Sequence, residues 1–229
     1  MNVIEFNQNL AKGSKVQPIF AIKVHQSSSA FFKLNEKDLD SLKEMSNIGA
    51  GNAVTALHQM TKKVIMLEVP QVTLLPFSEV VERLGGPEEE VVGLFLRVYG
   101  DARGNMLIAM SKSSAEQLLD ILFPGQTTVF GEMQISALKE VANILCSTYL
   151  NAMGGILKKI FIPSIPSFSI DMAQAIVDLL LIEIAEVSNE ALVIETFFKS
   201  RDNTFYGHFF LLPDPASIKV IMDAVSKKE

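Results

Sequence analysis

Between Glu36 and Met60 the apolar residues Leu42, Met45, Ala53, Ala56 and Leu57 recur at helical spacing, while polar residues take the other side. The pattern predicts a long amphipathic helix. Strand-like apolar runs follow at Val64 to Leu75, Val91 to Tyr99 and Gly104 to Met110. Ser113 is a candidate cap for a helix that ends near Phe123. The same series then returns. A helix is predicted around Ile135 to Lys158, with strands at Ala191 to Phe198 and Thr204 to Leu212. Pro215 falls in the first turn of a last helix, where the missing N–H costs nothing. Asp171 to Leu181 reads as a longer helix than its counterpart, Ser78 to Leu84.

The return is a sequence repeat. Asp40-Ser-Leu-Lys-Glu44-Met-Ser-Asn47 matches Ser136-Ala-Leu-Lys-Glu140-Val-Ala-Asn143 at an offset of 96 residues. Pro70 and Pro166 keep that offset, each 23 positions after its asparagine. Later segments match at a longer offset: Gly104 and Asp120 correspond to Gly207 and Asp223, so the second half carries an insertion. The half-repeats span about 36–123 and 132–226 and are joined by Pro124 to Gly131. Neither half is large enough to bury a good core alone. One shared core within residues 35–229 is expected, in an α/β (α+β) fold with pseudo-twofold symmetry. Residues 1–34 stand outside the repeat; Lys15 to Val24 suits an edge strand and Ser27 to Ser29 a linker, with no function legible in either.

Composition narrows the function classes. The 229 residues are 48% apolar and carry a net charge of −6, with no basic block to neutralise phosphates, so nucleic acid is not an expected partner. Cys146 is the only cysteine, which excludes an intramolecular disulfide. Met1 to Leu10 lacks a basic and then apolar leader, and the most apolar run, Ala173 to Ile184, is short and broken by Asp178 and Glu183. A cytoplasmic protein without membrane insertion is expected.

The chemistry sits in the repeated helices. Asp40, Glu44 and Asn47 are spaced i, i+4, i+7, as are Ser136, Glu140 and Asn143. At about 100° per residue each trio covers roughly 60° of the helix circumference, opposite Leu42 or Leu138. Each stripe therefore faces solvent. Glutamate offers a fixed negative charge for a lysine, and asparagine offers an acceptor and a donor that can orient a water without acting as a strong base. Phosphoryl transfer is catalysed chiefly by positioning and charge stabilisation, so such a pair suits attack of water on an already reactive acyl phosphate. One Glu-x-x-Asn pair is ordinarily a solvated helix face; two at a single internal offset point to a shared role. Pro70 and Pro166 read as structural, shaping a strand edge.

The spacing Asp/Ser-x3-Glu-x2-Asn-x22-Pro, present in both halves, resembles the signature of the CheC/CheX/FliY phosphatases, and Asn47-Ile-Gly-Ala-Gly-Asn52-Ala is similar to CheC. The resemblance runs from about residue 36 to the C-terminus. Two sites favour CheC or FliY over single-site CheX, and a FliY-like chain would add a flagellar-switch domain beyond Glu229. The resemblance implies two long motif helices on a continuous, mainly antiparallel sheet. It implies hydrolysis of the aspartyl phosphate on a CheY-type response regulator. Glu44 and Glu140 would bind the regulator's lysine, Asn47 and Asn143 would orient the water, and Asp40 and Ser136 would support contacts at the helix start. No cofactor is expected on this chain; Mg²⁺ would arrive with the phosphorylated regulator. CheD is an implied partner through the region after the second proline, with Asp171 as the contact. A non-enzymatic adaptor for CheD or a flagellar-switch component is the competing expectation.

Other patterns carry less. Gly49-Ala-Gly51 lacks the third glycine of a dinucleotide loop, Val54 standing in its place, and no strand precedes it. It suits close helix packing or close approach of a partner. His25, His58 and His208 have no ligand spacing, and Cys146 reads as a small packing residue. Pro87 to Glu90 reads as a solvated, charged loop.

Overall fold

The computed structural model describes residues 36–68, 70–125, 130–185, 190–202 and 205–226. The first half runs α1 (Glu36–Thr61), β1 (Ile65–Leu67), β2 (Gln71–Pro76), α2 (Phe77–Arg83), β3 (Glu90–Gly100), β4 (Gly104–Ser111) and α3 (Lys112–Leu122). The second runs α4 (Glu132–Leu157), β5 (Phe161–Pro163), β6 (Ser167–Met172), α5 (Ala173–Ala185), β7 (Glu190–Ser200), β8 (Tyr206–Pro213) and α6 (Pro215–Ser226). The extra length of the second half lies in α5, 13 residues against 7 in α2, and in the β7–β8 connection, 201–205 against 101–103 between β3 and β4. The edge strand expected at Lys15 to Val24 lies outside the described residues.

All eight strands join one antiparallel sheet in the order β1-β7-β8-β4-β3-β5, with β2 also on β7 and β6 also on β3. The short strands therefore cross over. Those of the first half pair with the long strand of the second, and those of the second with the long strand of the first. Registers repeat across a pseudo-twofold axis. Gln71 opposite Glu195 is matched by Ser167 opposite Phe95, and Leu94 opposite Ile108 by Ile194 opposite Leu211. In the central β4–β8 pair, Ile108–Phe209 is matched by Met106–Leu211, which puts the axis through Leu107 and Phe210.

The two prolines occupy matching places in this frame. Pro70 and Pro166 are buried between the two short strands of each half. A residue without an N–H cannot continue a ladder, so the apolar run expected at Val64 to Leu75 splits in two. The ladder is kept just before each proline: Glu68 N–H donates to the Phe197 carbonyl at 3.0 Å, and Ser164 N–H to that of Arg97 at 2.8 Å.

Alternation along the strands divides the sheet into two faces. Thr196, Phe198 and Phe209 meet Ala50 and Leu57 of α1 and Tyr149 of α4, whose ring lies 4.9 Å from that of Phe209. Helices α1 and α4 pack on each other there, with α3 and α6 each touching both. The opposite face carries α2 and α5, with Gly93 lying under Ile176 of α5. One apolar cluster runs through both halves, so the repeats share a single core.

Two local expectations are corrected. Helix α3 is capped by Ser111, whose hydroxyl accepts from Ser114 N–H at 3.2 Å; Ser113 lies inside the helix. The geometry follows the usual cap, an extended residue whose oxygen meets the N–H three residues on. Asp171 is not helical. It sits in β6 opposite Val91, held by long-range pairing with β3 that local propensity does not reveal.

Close packing of the motif helices rests on Gly49. A Cβ there would fall 2.8 Å from the Tyr149 ring, whereas a Cβ on exposed Gly51 would touch nothing within 4 Å. Alanine outranks glycine in a helix interior by about 1 kcal/mol. Gly51→Ala is therefore expected to stabilise by about that amount. Gly49→Ala should lose the gain to overpacking of about 1–3 kcal/mol. Urea unfolding of the two variants measures the difference; equal midpoints would show that Tyr149 yields freely.

Candidate functional site: paired polar stripes on the motif helices

Each motif helix has one stripe sunk in the core and one outside it. In α1, Leu42, Met45, Ser46, Gly49, Ala50, Ala53, Leu57 and Thr61 are buried. Ser46 is tolerated there because its hydroxyl donates to the Leu42 carbonyl at 2.7 Å. In α4, Leu138, Val141, Ala142, Leu145, Cys146, Tyr149, Leu150, Met153 and Leu157 are buried. Burial pushes the Cys146 thiol and the Tyr149 hydroxyl well up from their ordinary values, so Cys146 remains a neutral packing group.

The outer stripes hold the candidate residues. Asp40, Glu44 and Asn47 are exposed on α1; Ser136 and Glu140 are exposed on α4, and Asn143 is half-buried. Only Asn143 departs from full exposure. Among the described residues no hydrogen bond is found for the side chains of these six, so their donors and acceptors face outward uncommitted. Gly51 continues the α1 stripe one turn past Asn47 and is open, leaving room for a surface to approach. Beside Asn47, Ile48 is 44% exposed and adds an apolar contact point.

Both helices end alike. Lys62 and Lys158 take left-handed conformations, φ 56° and 54°, and close the last turn onto the carbonyls of His58 and Gly154. A lysine charge there also suits the negative end of the helix dipole. Each trio is thus carried on a 26-residue helix whose inner face and C-terminus are fixed by the fold.

Asp171 stands apart from both stripes. It is exposed, and its Oδ1 accepts from Met172 N–H at 2.8 Å, beside the start of α5. The first N–H groups of α5 are met instead by backbone: Ala173 donates to the Glu89 carbonyl at 2.8 Å and Gln174 to that of Pro87 at 3.2 Å. The neighbouring Met172 is exposed, as are Leu179 and Ile182 further along α5.

Among the described residues no group of three or more His, Cys, Asp or Glu side chains is arranged to hold a metal ion, and no helix is long and apolar enough to cross a membrane. His58 Nδ1 lies 2.6 Å from the Lys63 carbonyl, a local contact. One polar cluster escaped the sequence reading. Arg83, Glu195 and His208 come together from three distant segments, with no local motif to announce them.

A family model described as CheC-like matches residues 39–74 and 133–170, which cover most of each motif helix and the short strands after it. The chain is 35% identical over 204 residues to the CheY-P phosphatase CheC of Bacillus subtilis (strain 168), covering 86% of this chain and 98% of that protein. The flagellar motor switch phosphatase FliY of the same organism is 24% identical over 130 residues, 55% of this chain and 34% of that protein. Among solved structures, Thermotoga maritima FliY superposes with a TM-score of 0.67 at 17% identity, over 86% of this chain and all of that one. The fold is that of the CheC and FliY phosphatases, an antiparallel sheet carrying paired helices. The chain belongs to the CheC-like family.

Proposed function

We propose that this chain is a chemotaxis phosphatase that hydrolyses the aspartyl phosphate of a CheY-type response regulator, once at each polar stripe. The observation that carries this reading is the pair of outward stripes, Glu44 with Asn47 and Glu140 with Asn143, at corresponding positions of two symmetry-related helices. The relation to the Bacillus subtilis phosphatase supports the substrate class.

In this mechanism Glu44 or Glu140 pairs with a lysine of the regulator and sets the helix against its phosphorylation site. The charge is at the surface and steers the encounter more than it adds affinity. Asn47 or Asn143 then enters the regulator's site and holds a water in line with phosphorus. Water forms a new P–O bond as the acyl phosphate P–O bond breaks, leaving the aspartate carboxylate and inorganic phosphate. Mg²⁺ brought with the regulator would supply charge neutralisation at the phosphoryl oxygens. Asparagine contributes placement, the main requirement for so reactive a bond. Asp40 and Ser136, a turn before the glutamates, support the docking contact.

Asp171 gives a separate contact with CheD. It is exposed near the end of β6, on the sheet face away from the motif helices, with exposed Met172 next to it. An exposed acidic residue beside an exposed methionine can anchor a protein partner. Flagellar-switch components are a further class of partner, suggested by the FliY relation.

Asn47→Ala and Asn143→Ala should each leave partial activity, and the double variant should fall to the regulator's own rate of dephosphorylation. Loss of one positioning hydrogen bond costs about 3–4 kcal/mol in the transition state, roughly 10²–10³ in rate. Phosphate release from pre-phosphorylated regulator, with circular dichroism as the check on folding, reads this directly. A folded double variant with full activity overturns the mechanism and moves the catalysis to other residues; an unaltered chain that leaves the regulator's own rate unchanged would leave the adaptor reading in its place. Asp171→Lys is expected to weaken CheD binding in a calorimetric titration while phosphatase activity is kept; unchanged affinity removes Asp171 from that surface.

A further inference from the structure

On the sheet face away from the motif helices, charged side chains from three elements meet. Glu195 of β7 is only 7% exposed. One of its oxygens accepts from Arg83 Nη1 of α2 at 2.8 Å, and the other lies 2.7 Å from Nδ1 of His208 on β8. Gln71 of β2 accepts from the same Nη1 at 3.2 Å. The His208 ring is stacked on Phe210, centroids 5.7 Å apart and planes 6° apart, and meets Phe197 edge-on at 5.2 Å. Two clefts, of about 340 and 280 Å³, open beside the trio, and both are bordered by Arg83 and His208.

The pseudo-twofold axis supplies an internal comparison. Glu68, Gln71, Arg83, Glu195, Phe197 and His208 line the smaller cleft. Their counterparts across the axis are Ser164, Ser167, Leu179, Phe95, Arg97 and Asn105, and these line a cleft of about 300 Å³. The same backbone thus closes with leucine, phenylalanine and asparagine where the first cleft has arginine, glutamate and histidine. The fold does not require the charged trio, and a largely buried carboxylate is costly unless its partners are well placed.

We propose that the Arg83–Glu195–His208 cleft is a second binding site, for a small oxyanion such as phosphate or a carboxylate. Glu195 is the organiser: both its oxygens are engaged, one orienting the imidazole and the other holding the guanidinium. Among the described residues, the hydrogen bonds found for Arg83 all leave from Nη1 and the one for His208 from Nδ1. Nε and Nη2 of the planar fork, and Nε2 of the ring, remain for a ligand in the clefts that both residues line. A guanidinium fork matches two oxygens of a phosphate or carboxylate. With Nδ1 donating to Glu195, an anion at Nε2 needs that nitrogen protonated as well. His208 then offers one ring N–H to Glu195 and the other to the anion, beside the Arg83 guanidinium. Glu68 and Glu89 border the clefts from the segments before β2 and β3, and Tyr206 lies on the histidine's own strand. The two exposed carboxylates disfavour polyphosphates and other strongly charged anions. Among the described residues no group of three or more His, Cys, Asp or Glu side chains there is arranged to hold a metal ion.

The test is a titration of the full chain, labelled with nitrogen-15, with sodium phosphate, with sodium acetate, and with sodium chloride at matched ionic strength. Saturable shifts of the Arg83 side-chain and His208 ring signals are expected with phosphate or acetate and not with chloride. Which of the two saturates first separates a tetrahedral from a planar ligand. His208→Asn, the residue across the axis, should weaken binding about tenfold or more. Arg83→Leu alone strands a buried carboxylate, so the triple change Arg83→Leu, Glu195→Phe and His208→Asn, which copies the opposite cleft, is the second variant. Shifts equal to those with chloride, or binding unchanged in both variants, overturn the proposal.

Discussion

Everything in this fold depends on the exchange of short strands between the two repeats. Strand β2 lies along β7 and β6 along β3, so neither half can complete its own sheet. Separating the halves would bare the backbone N–H and C=O groups of β3, β4, β7 and β8 and open the apolar cluster that spans them. The exchange places α1 and α4 on one sheet face, in contact, because each is tied through its following strands to the opposite repeat. Two long helices with outward polar stripes follow from that topology.

The same symmetry shows where the two repeats have diverged. At the helix contact, Gly49 admits the Tyr149 ring, and the two helices contribute different residues to a shared seam. Asn47 is exposed while Asn143 is half-buried, so the stripes share a plan but not an environment. Helix α5 is nearly twice the length of α2 and leaves Leu179 and Ile182 in the open. The far sheet face differs most, with a charged trio on one side of the axis and Leu179, Phe95 and Asn105 on the other. Duplication conserved the frame, and the surfaces were free to take separate tasks.

Much of this was legible along the chain. The motif helices could be read because their 26-residue pattern is local and strongly periodic, and the offset between Asp40 and Ser136 exposed the repeat. Strands β3, β4, β7 and β8 came close to their bounds for the same reason: long apolar runs with clear ends. Nonlocal pairing was hidden. Nothing around Asp171 shows that Val91 will draw it into a strand, and nothing in the apolar run before β3 shows that its partner is β7. Arg83, Glu195 and His208 were invisible as a group for the same reason, being brought together only by folding. The cap at Ser111 was missed by two positions in a run containing three serines, each competent to accept a helix N–H.

The central claim is that the two stripes are separate docking sites for one kind of substrate, each directed by its glutamate. Stoichiometry tests it most directly. A CheY-type regulator held in its activated form by beryllofluoride can be titrated into the full chain and the complexes weighed by sedimentation. Two regulators per chain are expected for the unaltered protein, and one for Glu44→Lys or Glu140→Lys, with the remaining site intact. A single regulator on the unaltered chain, or two retained on both variants, would contradict the account.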